Sequence, residues 1–74
     1  MARVRWTRKA PREWDGDTGG WGRLRITAAR PDQRRAMRFY LMDVPFMGDP
    51  TVMGDYDSLQ SAKDGAEKFI ERLK

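Results

Sequence analysis

The last third of the chain has the pattern of a single amphipathic α-helix, and no other feature restricts the fold as strongly. Apolar residues recur there at spacings of three and four, which places them on one stripe of a helix, while charged residues take the other positions. The apolar set is Leu59, Ala62, Ala66, Phe69, Ile70 and Leu73. A stripe of this kind must be covered by an apolar surface, which the upstream residues have to supply.

The start of this helix is marked by a cap. Ser58 is the predicted N-cap, because its hydroxyl can accept a hydrogen bond from an amide of the first turn. Asp57 with Gln60 forms an alternative capping box one residue earlier. Gly65 costs about 1 kcal/mol relative to alanine inside a helix, and its place beside the apolar stripe indicates a close approach to a sheet.

Upstream of the helix, alternating residues predict a hairpin. The stretch 21–28 places Leu24, Ile26 and Ala28 on one face and basic or polar residues on the other. Residues 30–35 predict a turn, and 36–43 a return strand with Met37, Phe39 and Leu41 toward the helix. A short third strand is predicted at 51–53.

The first twenty residues leave two alternatives open. Residues 3–8 alternate like a short edge strand, but a basic arm fits them equally well. Residues 9–20 are rich in glycine, proline and aspartate and predict a loop, in which Trp14 covers one end of the core.

Together these patterns predict one α+β domain spanning residues 1–74, with an antiparallel sheet of three to four strands packed on one C-terminal helix. Residues 1–20 form an arm, or an edge strand and loop, 21–56 form the sheet, and 57–74 form the helix. The core must be thin, because a domain this small buries only about 60% of the surface of its unfolded chain.

Charge is distributed unevenly. The formal net charge is +4, but residues 1–38 hold eleven Arg/Lys against four Asp/Glu, and residues 39–74 hold four against seven. A basic first half favours partners that carry phosphates or acidic surfaces.

The residue types argue against an enzyme. The chain has no histidine and no cysteine, which removes the commonest general base, disulfides and thiolate metal sites. The aspartates near the helix start lack the spacing of a calcium loop. We therefore predict no catalytic residues, no cofactor and no metal; a small enzyme would need a deep polar pocket that a thin domain can hardly form.

No apolar run approaches the roughly 20 residues of a membrane span, and no signal-peptide pattern is present. The predicted location is the cytoplasm, or the host cell cytoplasm if the protein is phage-encoded.

The candidate binding surface is the outer face of the sheet and its turn, where guanidinium groups and aromatic rings suit phosphate contact and base stacking. An ordinary solvated sheet face is the alternative interpretation. The predicted binding residues are Trp21, Arg23, Arg25, Arg30, Arg34, Arg35, Arg38 and Tyr40.

Two motifs carry a resemblance over roughly residues 21–70: Trp21-Gly22-Arg23 at the start of a strand, and Gly54-x-Tyr56-Asp57-Ser58-x-x-x-Ala62-x-x-x-Ala66 leading into the helix. The pattern resembles the three-stranded-sheet-plus-helix DNA-binding domains of plant ethylene-response factors and the arm-binding domains of tyrosine recombinases. The resemblance implies that sheet arginines and tryptophans enter the major groove of DNA, with Trp21, Arg23 and Arg25 in those positions.

The same corner also resembles short phage-encoded proteins, including anti-CRISPR proteins. Two hypotheses follow. The first is a small non-enzymatic module that binds double-stranded DNA or a nucleoprotein complex. The second is a phage-encoded inhibitor that binds a host defence protein, such as a defence nuclease. An open sheet edge and an exposed Phe46-Met47 loop also leave a homodimer open beside a monomer.

Overall fold

A computed structural model describes residues 4–19 and 22–72, which form one antiparallel sheet and one helix. Each strand pairs with the next in the chain, so the sheet is a simple meander of five strands. The elements are β1 (Arg5–Ala10), β2 (Glu13–Asp17), β3 (Arg23–Ala29), β4 (Arg38–Val44), β5 (Thr51–Tyr56) and α1 (Leu59–Arg72).

The predicted α+β architecture, a C-terminal helix on an antiparallel sheet, is confirmed, but the predicted count of three to four strands is wrong. The structure has five. The difference lies in the first twenty residues. Residues 3–8 were compatible with an edge strand or with a basic arm, and the structure has an edge strand there, β1. A further strand, β2, occupies the middle of the stretch 9–20 that was predicted to be a loop.

Long-range contacts explain why β2 forms despite its turn-like composition. Gly16 lies under its neighbours so closely that an added Cβ would come 2.7 Å from Val4 Cγ1 and 2.8 Å from the Trp6 ring. Its lack of a side chain is what lets Trp6 cover the sheet there. Such packing routinely overrides the local preference of a short segment.

The core lies between one face of the sheet and α1. Its largest fully buried side chains are Leu24, Ile26 and Leu41, and Ile26 pairs with Leu41 across β3 and β4. Each such side chain stabilises the fold by about 1.5–3 kcal/mol through burial. Trp14 packs against this core as predicted, with its ring centroid 6.1 Å from that of Phe39.

Ser58 and Gly65, which the sequence analysis identified as the cap and as a site of close approach, position helix α1. Ser58 Oγ accepts a hydrogen bond from the Ser61 amide at 3.1 Å, which confirms Ser58 as the N-cap. A Cβ added at Gly65 would overlap the Tyr56 ring of β5, so the predicted close approach is also confirmed. Arg3 and Leu73, which the sequence placed in the first strand and on the helix stripe, lie outside the described residues.

Candidate nucleic-acid interface

The sheet face turned away from α1, called the open face below, alternates in charge from strand to strand. Its charged residues on β2 are Glu13, Asp15 and Asp17, and the register sets Arg25 and Arg23 of β3 opposite the two aspartates. On the other side of β2, Arg5 of β1 pairs with Asp17. Opposite charges on directly opposed residues stabilise a sheet. Among the described residues, however, Arg25 forms ion pairs here, whereas Arg5 and Arg23 are exposed and form none.

Arg25 shows the closest of these contacts. Its Nε donates to Asp15 Oδ1 at 3.1 Å and lies 3.5 Å from Glu13 Oε1. The Asp15 side chain is only 13% exposed, which reduces the screening of this pair by solvent. The guanidinium of Arg25 is therefore largely neutralised by the protein's own carboxylates.

Arg38 is also bound internally. Its Nε and Nη2 donate to Asp55 Oδ2 at 3.2 Å and 2.9 Å. Two of the predicted binding residues, Arg25 and Arg38, are thus engaged with carboxylates of neighbouring strands.

The hairpin register also separates the predicted residues along the strands. Arg23 lies opposite Val44, Tyr40 opposite Thr27, and Arg38 opposite Ala29. They share the open face as predicted, but Arg23 and Arg38 occupy opposite ends of the hairpin. Trp21 lies outside the described residues.

The remaining predicted arginines lie on the turn between β3 and β4. Arg30, Arg34 and Arg35 are all exposed. Asp32 orders this turn, because its Oδ1 accepts from the Arg34 amide and its carbonyl from the Arg35 amide, both at 3.1 Å. Within the described part of the chain, the three guanidinium groups form no hydrogen bond or ion pair.

A second basic turn lies beside the first. The amide of Ala28, near the end of β3, donates to the carbonyl of Arg12 at 2.8 Å, so the turn between β1 and β2 adjoins the end of β3. Arg12 is exposed, and its side chain has no partner among residues 4–19 and 22–72. We call Arg12, Arg30, Arg34 and Arg35 the basic end of the sheet.

Arg12 was not among the residues predicted from the sequence. It belongs to the stretch 9–20 that was predicted to be a loop, and the sequence of a loop does not indicate which surface its side chains join. The local signal is Pro11, since proline favours the first central position of a turn, but the residues after it did not indicate a return strand.

Several carboxylates at the same end of the sheet are engaged with other groups, and one of them, Asp55, holds Arg38. Asp32 uses its side chain on its own turn, and Glu13 lies beside Arg25. Exposed guanidiniums without internal partners are free to make the bidentate contacts that they form with phosphate oxygens.

No three His, Cys, Asp or Glu side chains within residues 4–19 and 22–72 are placed to hold a metal ion. Helix α1, the one helix among these described residues, is not long and apolar enough to cross a membrane. An open groove of about 690 Å³ does lie across the sheet at the end opposite the basic end, with Arg5, Arg23 and Phe46 among its lining residues.

Comparison with protein-family models, with curated proteins and with solved structures found no significant match. The resemblances to DNA-binding domains and to anti-CRISPR proteins therefore stay predictions, and the functional argument depends on the geometry of this chain.

Proposed function

We propose that this protein is a small non-enzymatic module that binds double-stranded DNA through the basic end of its sheet. The observation that supports this most directly is the group of four exposed arginines on two adjoining turns, none with an ionic partner among the described residues. Arginine without an internal partner is the side chain best suited to phosphate oxygens.

This proposal shifts the predicted interface from the open face to the turns. Arg25 and Arg38 are assigned to the stability of the sheet, since each is held by a carboxylate. Arg30, Arg34 and Arg35 keep their predicted role, and Arg12 joins them. Contacts made from turns to the DNA backbone position a protein without reading the base sequence.

Phosphate binding has a measurable signature. Each phosphate neutralised by the protein steepens the fall of log affinity with log salt by about 0.9 on duplex DNA. We therefore expect four basic-end contacts to give a slope of about −3 to −4, with binding readily detected at low salt.

The experiment is a fluorescence anisotropy titration of a labelled duplex at about 50 mM and 200 mM salt, the range over which phosphate contacts weaken strongly. The wild-type chain is compared with Arg34→Ala/Arg35→Ala, which should bind more weakly and with a shallower salt slope. The matched control is Lys68→Ala/Arg72→Ala, which removes the same charge from exposed positions of α1.

The two variants separate a local interface from net charge. If both lose affinity equally, only the overall charge matters and the basic end is not the interface. Absence of binding by the wild-type protein at low salt would reject the DNA-binding function altogether.

A second candidate function is supported by a different observation. Phe46 is fully exposed and Met47 is 82% exposed, and Phe46 lies beside the groove described above. Exposed apolar side chains next to a groove are typical of protein-binding surfaces. We propose as the alternative a phage-encoded inhibitor that binds a bacterial defence nuclease, as an anti-CRISPR protein does.

The alternative is tested by affinity capture from a bacterial lysate with and without nuclease treatment. Recovery of a subunit of a defence nuclease complex, insensitive to nuclease and lost in Phe46→Ser/Met47→Ser, would favour it over DNA binding. Capture unaffected by this variant would contradict it. Under either function we place the protein in the cytoplasm, that of the host cell if it is phage-encoded.

A further inference from the structure

The two edge strands of the sheet each have one side without a neighbour. Within the described residues, β1 pairs only with β2, and β5 pairs only with β4. Both edges are six residues long. An unpaired edge presents backbone N–H and C=O groups that can pair with a strand of another chain.

These two edges carry opposite charge. β1 contains Arg5, Arg8 and Lys9 and no acidic residue. On β5 itself, Asp55 already holds Arg38. The flanking Asp49 and Asp57 are exposed and form no ion pair among the described residues, and the whole stretch 39–62 contains no Lys or Arg. Two β1 edges or two β5 edges would therefore repel each other, whereas β1 and β5 attract.

We propose that the chain self-associates head to tail, with β1 of one copy pairing beside β5 of the next. The open face supports this arrangement by its own pattern, in which the cationic β1 adjoins the anionic β2, and β2 in turn adjoins the cationic β3. If the cationic β1 of one copy lies next to the acidic β5 of another, this alternation of charge from strand to strand continues between copies. Val52 of β5, which is 56% exposed, would gain a neighbour.

The geometry of the meander fixes the direction of this pairing. With five antiparallel strands, β1 and β5 run the same way. A second copy whose helix lies on the same side of the sheet therefore pairs its β1 parallel to β5. Because the two joined surfaces differ, the contact is heterologous and generates open chains of copies instead of a closed dimer.

The association is expected to be weak and reversible. Each edge is interrupted by a bulge, at Lys9 on β1 and at Met53 on β5, and bulges shorten the regular stretch available for pairing. The interaction depends on exposed charges, so salt weakens it. It is independent of the proposed DNA binding, since the basic end uses the turns.

The test uses the absence of cysteine from the chain. Two single variants, Thr7→Cys on β1 and Val52→Cys on β5, are prepared separately, since both positions are exposed. They are mixed at high protein concentration without DNA and treated with a short bifunctional maleimide, and the products are identified by mass spectrometry. The reagent spans more than one register, so the exact alignment of the strands does not decide the result.

Random encounter of the two variants in equal amounts gives the mixed product as often as both self-joined products together. Head-to-tail pairing therefore predicts that Thr7→Cys joined to Val52→Cys exceeds the sum of the two self-joined products, and that this excess is lost at about 1 M salt, where the screening length is about 3 Å. Arg5→Glu should reduce the mixed product, whereas the matched Arg72→Glu on the helix should not. A majority of self-joined products would replace the proposal with a symmetric dimer. Cross-linking no greater than that of a denatured mixture would overturn it.

Discussion

Two arginines of the strands, Arg25 and Arg38, and the arginines of the basic end are the same residue type in opposite electrostatic surroundings. Arg25 and Arg38 lie on strands, where the register brings a carboxylate of the neighbouring strand within 3.1 Å and 2.9 Å. Arg34 and Arg35 lie on a turn whose single aspartate is occupied with backbone amides. The difference teaches that strand register, more than the number of arginines, decides how much positive charge a small sheet offers to a partner.

Among the strand and turn arginines, we expect substitution of Arg25 to have the largest effect on stability. Replacing Arg25 with alanine leaves Asp15, 13% exposed, without its charged partner. We expect Arg25→Ala to lower the free energy of unfolding by about 2 kcal/mol, the scale of a lost hydrogen bond to a charged group. Urea denaturation followed by circular dichroism measures this loss. A change no larger than that of an exposed surface substitution would show that the contact contributes nothing.

The coupling energy between Arg25 and Asp15 should be smaller than the loss caused by Arg25→Ala, and it measures the contribution of this pair alone. In a double-mutant cycle of Arg25→Ala and Asp15→Ala, we expect a coupling energy of about 1 kcal/mol, because residues in direct contact fall in this range. Two losses that simply add would mean that the side chains stabilise the sheet independently, through packing and not through their charges. The same denaturation assay applies to all four proteins of the cycle.

The second sheet arginine should matter less. Arg38 and Asp55 are 34% and 55% exposed, and exposed pairs typically contribute 0 to about 1 kcal/mol. We expect Arg38→Ala to destabilise by less than about 1 kcal/mol, with most of the difference removed by high salt. A loss as large as that of Arg25→Ala would indicate that burial does not control the strength of these pairs.

The parts of the fold that local patterns predicted are those decided by local chemistry. The periodicity of α1, the cap at Ser58 and the inward residues of β3 follow from spacing alone. The strand β2 was missed because Asp15-Gly16-Asp17 has the composition of a turn. What makes it a strand is remote in sequence: the Trp6 ring over Gly16, and Arg25, ten residues beyond Asp15.

The candidate site shows the same division. Residue type and turn position predicted Arg30, Arg34 and Arg35, since a turn has no neighbouring strand to supply a partner. Whether Arg25 is free depended on the existence of β2 and on its register with β3. An unrecognised strand therefore changed the interpretation of the face next to it.

Of the substitutions considered, Arg34→Ala should have the smallest effect on the free energy of unfolding, yet it should clearly change DNA affinity. Arg34 is exposed, and its side chain has no partner among the described residues, so Arg34→Ala should change the free energy of unfolding by no more than about 0.5 kcal/mol. If Arg34 contacts a phosphate, the same substitution should make the salt slope of DNA affinity shallower by about 1, uniformly across DNA sequences. Arg38→Ala provides the contrast, since a paired arginine should affect stability and leave the slope unchanged. A variant of Arg34 that loses stability but keeps the wild-type slope would reverse the assignment, because the turn arginine would then serve the fold and the free charge would have to lie elsewhere.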